Sequence, residues 1–228
     1  MDIDFCVDLL SRSLPLLLMG FAMTIQILIL SATLSFSLGL IFGTLCCDEI
    51  HIPILSRPLQ LITFILRAIP FYVQLLLVYF IVPDILGIEL DALPASILAL
   101  GLCSSGYVCQ IVRAGINSIP LIQWETAAVL GYGRLSTLRC IILPQMLQNV
   151  LPAFNNELES ILKSTSILSA IGTLELTRIG MNIVSRELKY PLTIYLIIAT
   201  FYVAISSLLN FVAKYLEKRI SRKLRHVE

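Results

Sequence analysis

Long apolar runs leave this chain little choice of solvent. They extend over about Leu14 to Cys46, Leu59 to Val82, Ala92 to Val112, Val150 to Leu176 (less apolar than the others) and Pro191 to Ala213. A membrane-crossing helix needs about 20 predominantly apolar residues. Within lipid, backbone N–H and C=O groups have no water to bond, so the segment must satisfy them itself. The pattern predicts an all-α integral membrane bundle of about five transmembrane helices. Charged residues make up 14% of the chain and hydrophobic ones 57%, against roughly 25% and 45–50% in a soluble domain. With no internal repeat, low-complexity tract or linker, residues 1–228 read as a single membrane domain.

Basic residues beside the spans orient them. The connection from Pro83 to Pro94 carries Asp84, Glu89 and Asp91 and no Lys or Arg, so it is expected outside. The connection after the third run holds Arg113, Arg134 and Arg139, and the tail, about 214–228, holds Lys214, Lys218, Arg219, Arg222, Lys223 and Arg225. Both are expected in the cytoplasm. With five spans the N-terminus lies outside and the C-terminus inside. Arg178, Arg186 and Lys189 are a mild exception on the outer side. The start, Met1-Asp2-Ile3-Asp4-Phe5-Cys6-Val7-Asp8, lacks the basic region of a cleavable signal peptide, so no processing is expected.

Several chemistries find no residues. Cys6, Cys46, Cys47, Cys103, Cys109 and Cys140 contain no CxxC pair and read as small membrane-compatible residues. His51 and His226 are far apart in sequence and form no metal site, and no histidine among the spans serves a Ser-His-Asp arrangement. There is no G-x-x-x-x-G-K-[ST] phosphate loop, so any ATP must be bound by another chain. No metal and no cofactor are expected, and the net charge of +1 gives no reason to expect nucleic acid.

Between the third and fourth runs lies a polar insert, about 117–145. Ile119-Pro120 ends the third span's extension, and Gln123, Trp124 and Glu125 are expected to start a short helix. Glu125 would then sit in its first turn, where the helix dipole favours an anion. Ala127, Ala128 and Leu130 give that helix a small, smooth face, and Gly131 and Gly133 let the chain turn back. Such a helix lies across the membrane surface. It either seats in a cleft of a partner or simply holds two spans together.

The fourth run carries Asn155, Asn156, Glu157, Glu159, Lys163 and Ser164, too polar to face lipid, where one charge costs about 2.5–3.5 kcal/mol on a lenient insertion scale. If helical from Pro152, Asn156, Glu159 and Lys163 share one face. Glu159 and Lys163 are i, i+4 in the favourable order for a structural ion pair. Glu157 and Ser164 lie two turns apart on an adjacent face. These groups either lock the bundle among themselves or line a polar path, in which Glu157 supplies an anion for an ammonium group. Gln74, Tyr107 and Gln110 are further path candidates. Arg67, near the start of its span, is expected to snorkel to the cytoplasmic surface.

The insert resembles the EAA loop of ABC importer permeases: Glu125, then small residues, Gly131, and Leu143-Pro144-Gln145 near the end. Leu66-Arg67-Ala68-Ile69-Pro70 with Gln74 and Tyr79 is similar to the Arg-Gly-Thr-Pro…Gln…Tyr stretch of permeases for polar amino acids. Gly106-Tyr107-Val108-Cys109-Gln110-Ile111-Val112-Arg113-Ala114-Gly115-Ile116 is similar to their Ala-Tyr-x-x-Glu-x-x-Arg-Gly-Gly-Ile. Asn156-Glu157 and Leu162-Lys163-Ser164-Thr165-Ser166 match their Asn-Glu and Leu-Lys-Asp-Thr-Ser. Together these cover about residues 20 to 213 and resemble the histidine/glutamine/arginine type. Three positions depart from the pattern: Thr126 for the first Ala, Gln110 for an acid, and Ser164 for Asp.

The resemblance implies a type I importer permease fold. It implies a non-enzymatic subunit of a binding-protein-dependent importer that moves a polar amino acid across a bacterial inner membrane. Two cytoplasmic ATP-binding subunits would dock at Trp124, Glu125, Thr126, Ala127 and Gly131. A second permease copy or paralogue would complete the pathway, with membrane lipid around it, and an external solute-binding protein would deliver the substrate. The loss of an acid at Ser164 tilts the expected substrate from a cationic toward a neutral polar amino acid. An ATP-independent secondary transporter or channel is the competing reading, but it leaves the polar insert unexplained.

Overall fold

The computed structural model describes residues 3–50, 52–186 and 191–225, with side chains over 11–50, 52–186 and 191–219. Met1, Asp2, His51, Lys189 and His226 lie outside the described residues, as do the side chains of Cys6, Arg222, Lys223 and Arg225. The described residues are helical apart from short connections, with no strand.

The first helix, α1 (Ile3–Leu45), continues through Pro15. A tight turn leads to α2 (Pro53–Ala68), α3 (Phe71–Leu76), a π turn over Leu77–Ile81 and α4 (Val82–Leu86). Then follow α5 (Ala92–Asn117), α6 (Leu121–Val129), α7 (Arg134–Thr137), a second π turn over Leu138–Ile142 and α8 (Leu143–Ser164). A 3-10 stretch, Thr165–Ile171, leads to α9 (Leu176–Arg186) and α10 (Pro191–Arg225). Among the described residues, three helices are long and apolar enough to cross a membrane alone: α1, α5 and α10. Two bent pairs bring the crossings to five when each pair counts as one.

The second apolar run is therefore not one straight span. It breaks by 105° between Ala68 and Phe71. Pro70 disfavours helical backbone at the residue before it, and Ile69 is extended, with φ −85° and ψ 131°. Each π turn ends two residues before a proline, Pro83 or Pro144. Pro144 has no N–H to give, and the next residue's side chain bonds the same turn, Gln145 Nε2 donating to Ile141 O at 3.0 Å. The fourth crossing is longer than its apolar run suggests, starting at Arg134 and turning by 48° into α9.

The bundle is centred on α1 against α5. Lipid provides no hydrophobic drive between helices, so small residues that let backbones close up do the packing. Gly39 and Gly43 form such a ridge. A Cβ on Gly39 would lie 2.5 Å from Val108 Cβ, and one on Gly43 2.8 Å from Cys109 O. On the facing helix, Ala95, Ser96, Ala99, Cys103 and Ser104 are buried.

At the end away from α6, α9 begins on a buried carboxylate. Glu175, fully inaccessible, accepts from Thr177 N and Arg178 N at 2.7 Å each and from Tyr202 OH at 3.2 Å. Thr24 Oγ1 accepts from Leu176 N at 3.1 Å. Four orphan N–H groups open every helix, and here the side chains of Thr24 and Glu175 take three of them, while Ile179 N bonds Glu175 O at 3.0 Å.

Candidate functional site

A cavity of about 350 Å³ lies where the α2–α3 break, α5 and α8 meet. The break sets Arg67 and Pro70 on one wall, α5 adds Cys103, Ser104 and Tyr107, and α8 adds Glu157, Ser160 and Ser164. A second cavity of about 420 Å³ extends toward Asn149 and Gly115. Tyr107 and Glu157 line both, so they stand at the junction.

Glu157 is held from behind. Ser104 Oγ donates to Glu157 Oε1, while Ser35 Oγ donates to Ser104 Oγ at 2.8 Å. A short chain of hydroxyls thus runs from α1 through α5 to the carboxylate. Arg67 reaches into the cavity rather than snorkelling: its Nε donates to Thr63 O at 3.2 Å and its Nη1 donates to Gln110 Oε1. The break at Pro70 ends α2 at Ala68, one residue after Arg67, so Arg67 sits at a helix end facing α5. The cavity therefore has a guanidinium on one wall and a carboxylate on another.

The six path candidates separate. Tyr107, Glu157 and Ser164 line the first cavity, and Gln110 lines the second. Asn156 is exposed and lines neither. Gln74 is buried and also lines neither: its Nε2 donates to Leu66 O and Ile69 O at 2.7 Å each and lies 3.4 Å from Cys103 Sγ. It satisfies carbonyls that the Pro70 break leaves without helical donors, so its polarity belongs to the break. Lys163 Nζ donates to Glu159 Oε2 at 3.1 Å, and Asn210 Nδ2, which belongs to α10, donates to Glu159 Oε1. Asn155 Nδ2 donates to Asn210 Oδ1 at 2.7 Å. This cluster fastens α8 to α10, away from the cavity.

Sequence reasoning missed Ser35, Ser104 and Ser160. Small hydroxylated residues in apolar runs read as packing, and only the crossing of α1 on α5 brings Ser35 to Ser104.

The corner carrying α6 corrects two expectations. Trp124 and Ala127 face inward, 7% and 1% exposed. Trp124 joins a core with Val112, Ile119, Leu138 and Met146. The face left open carries Glu125, Thr126, Val129 and Leu130, with Val129 87% exposed. An indole buries more area than any of those side chains, which decides the rotation of so short a helix. α6 also starts at Leu121 rather than Gln123, so Glu125 lies beyond the first turn. The helix ends as expected at glycine: Gly131 has φ +83°, its N–H bonds Ala128 O at 3.0 Å, and Tyr132 N bonds Ala127 O at 2.9 Å. This double closure over a left-handed residue ends the helix cleanly.

The family described as binding-protein-dependent transport system inner membrane component matches residues 35–222. The arginine transport system permease protein ArtQ of Bacillus subtilis (strain 168) is 32% identical over 96% of this chain and 98% of its own. A putative glutamine transport system permease protein GlnP of Rickettsia typhi is 35% identical over 80% of this chain and 84% of its own. Among solved structures, an amino acid ABC transporter crystallised with histidines has a TM-score of 0.83 at 31% identity, covering 96% of this chain and all of that one. The methionine transporter MetNI, at 21% identity and TM-score 0.78, shares the fold.

The chain belongs to the inner membrane components of binding-protein-dependent transport systems, the permeases of ABC importers. In that class the membrane subunit is non-catalytic, ATP is hydrolysed on separate ATP-binding subunits, and a solute-binding protein supplies substrate.

Proposed function

We propose that the cavity between Arg67 and Glu157 receives a polar amino acid during transport. The observation that carries this is the presence of one guanidinium and one carboxylate in the lining of a single cavity, on different helices. A zwitterion needs an anion for its ammonium and N–H donors for its carboxylate, and charge-assisted bonds to both are the strong ones. Glu157 takes the first part and Arg67 the second. Ser164, in place of a second acid, leaves nothing beyond Glu157 on that wall to hold a cationic side chain, so the reading favours a neutral polar amino acid. Relatives named for arginine and glutamine support the substrate class.

The N-terminus lies outside and the C-terminus in the cytoplasm, as the basic residues require. Two ATP-binding subunits dock on the open face of α6, at Glu125, Thr126 and the Gly131 turn. A second copy or a paralogue completes the pathway. ATP-driven approach of the ATPases moves α6 and switches which of the two cavities is open.

The test is purification of the complex in mild detergent, followed by uptake in proteoliposomes with a panel of labelled amino acids. A bound ATPase subunit and ATP-dependent uptake of a neutral polar amino acid are expected. A chain that transports with no ATPase attached overturns the reading in favour of an ATP-independent carrier.

A further inference from the structure

We infer that Asp48 is a positioning residue for transport: the turn over residues 46–50, between α1 and α2, joins the cytoplasmic ends of α1 and α5 to the corner that carries α6. It rests on the reading of α6 as the helix the ATPase moves. Both carboxylate oxygens of Asp48 are engaged by the last turns of α5. Arg113 Nη2 donates to Oδ1 at 3.2 Å and Asn117 Nδ2 to Oδ2 at 2.8 Å. The Asp48 N–H returns a bond to Asn117 Oδ1 at 3.2 Å, closing the contact from both directions. The very next residue turns the other way: Glu49 O accepts from Arg134 Nη1 at 3.1 Å, and Arg134 opens α7 just past the Gly131 turn. Cys47, fully buried, lies in the same core as Trp124 of α6, with Ile50 packed against it.

Arg113 and Arg134, two cations that orient the chain, are thus both turned onto one short segment. Two consecutive residues of that segment hold α5 on one side and the α6–α7 corner on the other. Exposed ion pairs of this kind contribute little to stability, and the buried indole of Trp124 already anchors α6. What apolar packing lacks is direction, because it is proportional to area alone. Hydrogen bonds of fixed geometry set register. With Asp48 in place, displacement of α6 reaches the ends of α1 and α5 as one body. Without it, the core around Trp124 lets α6 slide.

The test compares wild type, Asp48→Ala, Asn117→Ala and the double variant, each as the purified complex with its ATPase in proteoliposomes, using the amino acid that the panel identifies. ATP hydrolysis and uptake are measured on the same vesicles. Uptake per ATP hydrolysed is expected to fall about tenfold in either single variant and no further in the double, with the ATPase still bound. A merely structural role lowers the yield of complex and leaves that ratio unchanged, and this outcome overturns the inference. Asp48→Asn, which keeps an acceptor for Asn117 and loses the charge for Arg113, is expected to fall between, and serves if the alanine variant does not assemble. Absence of any bound ATPase in the wild type is a separate result, which counts against the docking reading itself.

Discussion

Arg67 and Gln110 bond across the gap between α2 and α5, so the guanidinium that shares a cavity with Glu157 is steered by a neutral amide. An acid at position 110 would make an ion pair there and compete with a substrate carboxylate for the same N–H groups. Arg67→Ala is expected to raise the KM for uptake tenfold or more, since a hydrogen bond to a charged group contributes about 1.5–3 kcal/mol. Gln110→Glu is expected to raise KM by a smaller factor. Initial-rate uptake in proteoliposomes measures both, and an unchanged KM in Arg67→Ala removes Arg67 from the site.

Glu157→Gln keeps the shape of the side chain and its bond from Ser104 while removing the charge. Uptake is expected to be lost with the ATPase still bound. Ser104→Ala removes the donor alone, and a partial loss is expected, about the 1.5–3 kcal/mol of one hydrogen bond to a charged group. If Glu157→Gln transports normally and only melts earlier, the carboxylate is a bundle lock.

Gln74→Leu is expected to act on stability rather than affinity. Two carbonyls at the Pro70 break would lose their donor where no water replaces it, at a cost of about 1–3 kcal/mol for each group left unsatisfied. A lowered thermal midpoint in detergent, with KM unchanged in what folds, is the expected result.

Two glycines separate space from conformation. Gly39→Ala drives a Cβ onto Val108 Cβ, and Cys109 N lies 3.0 Å from it, so α1 and α5 must part. Overpacking of this kind costs about 1–3 kcal/mol, read as a lower melting temperature. Gly131→Ala meets nothing within 4 Å, yet places a side chain at φ +83°, at about 1–2 kcal/mol. Its expected effect is a looser end to α6 and weaker ATPase binding, with the bundle's melting temperature unchanged.

Hydropathy made the crossings legible, and the polar residues of α8 announced Glu157 and Ser164, because charge in lipid always needs a reason. The side chains that hold Glu157 were not legible. Ser35 and Ser104 become a relay only through the approach of two helices, a relation between residues 69 positions apart. The part Gln74 plays at the Pro70 break was not legible, because a buried amide looks the same in sequence whether it serves a path or a proline break. The inward turn of Trp124 was not legible, because a surface helix of nine residues has too few turns to show which side its largest ring will take.

Glu175 gathers its donors from α9 beside it and from Tyr202 of the following helix, α10. A ribosome delivers those pieces in order, and the tyrosine comes last. Until Tyr202 is in place, the carboxylate at the start of α9 lacks its hydroxyl donor. A chain that stops before its final crossing is expected to leave short of one donor an acid that the completed chain hides entirely.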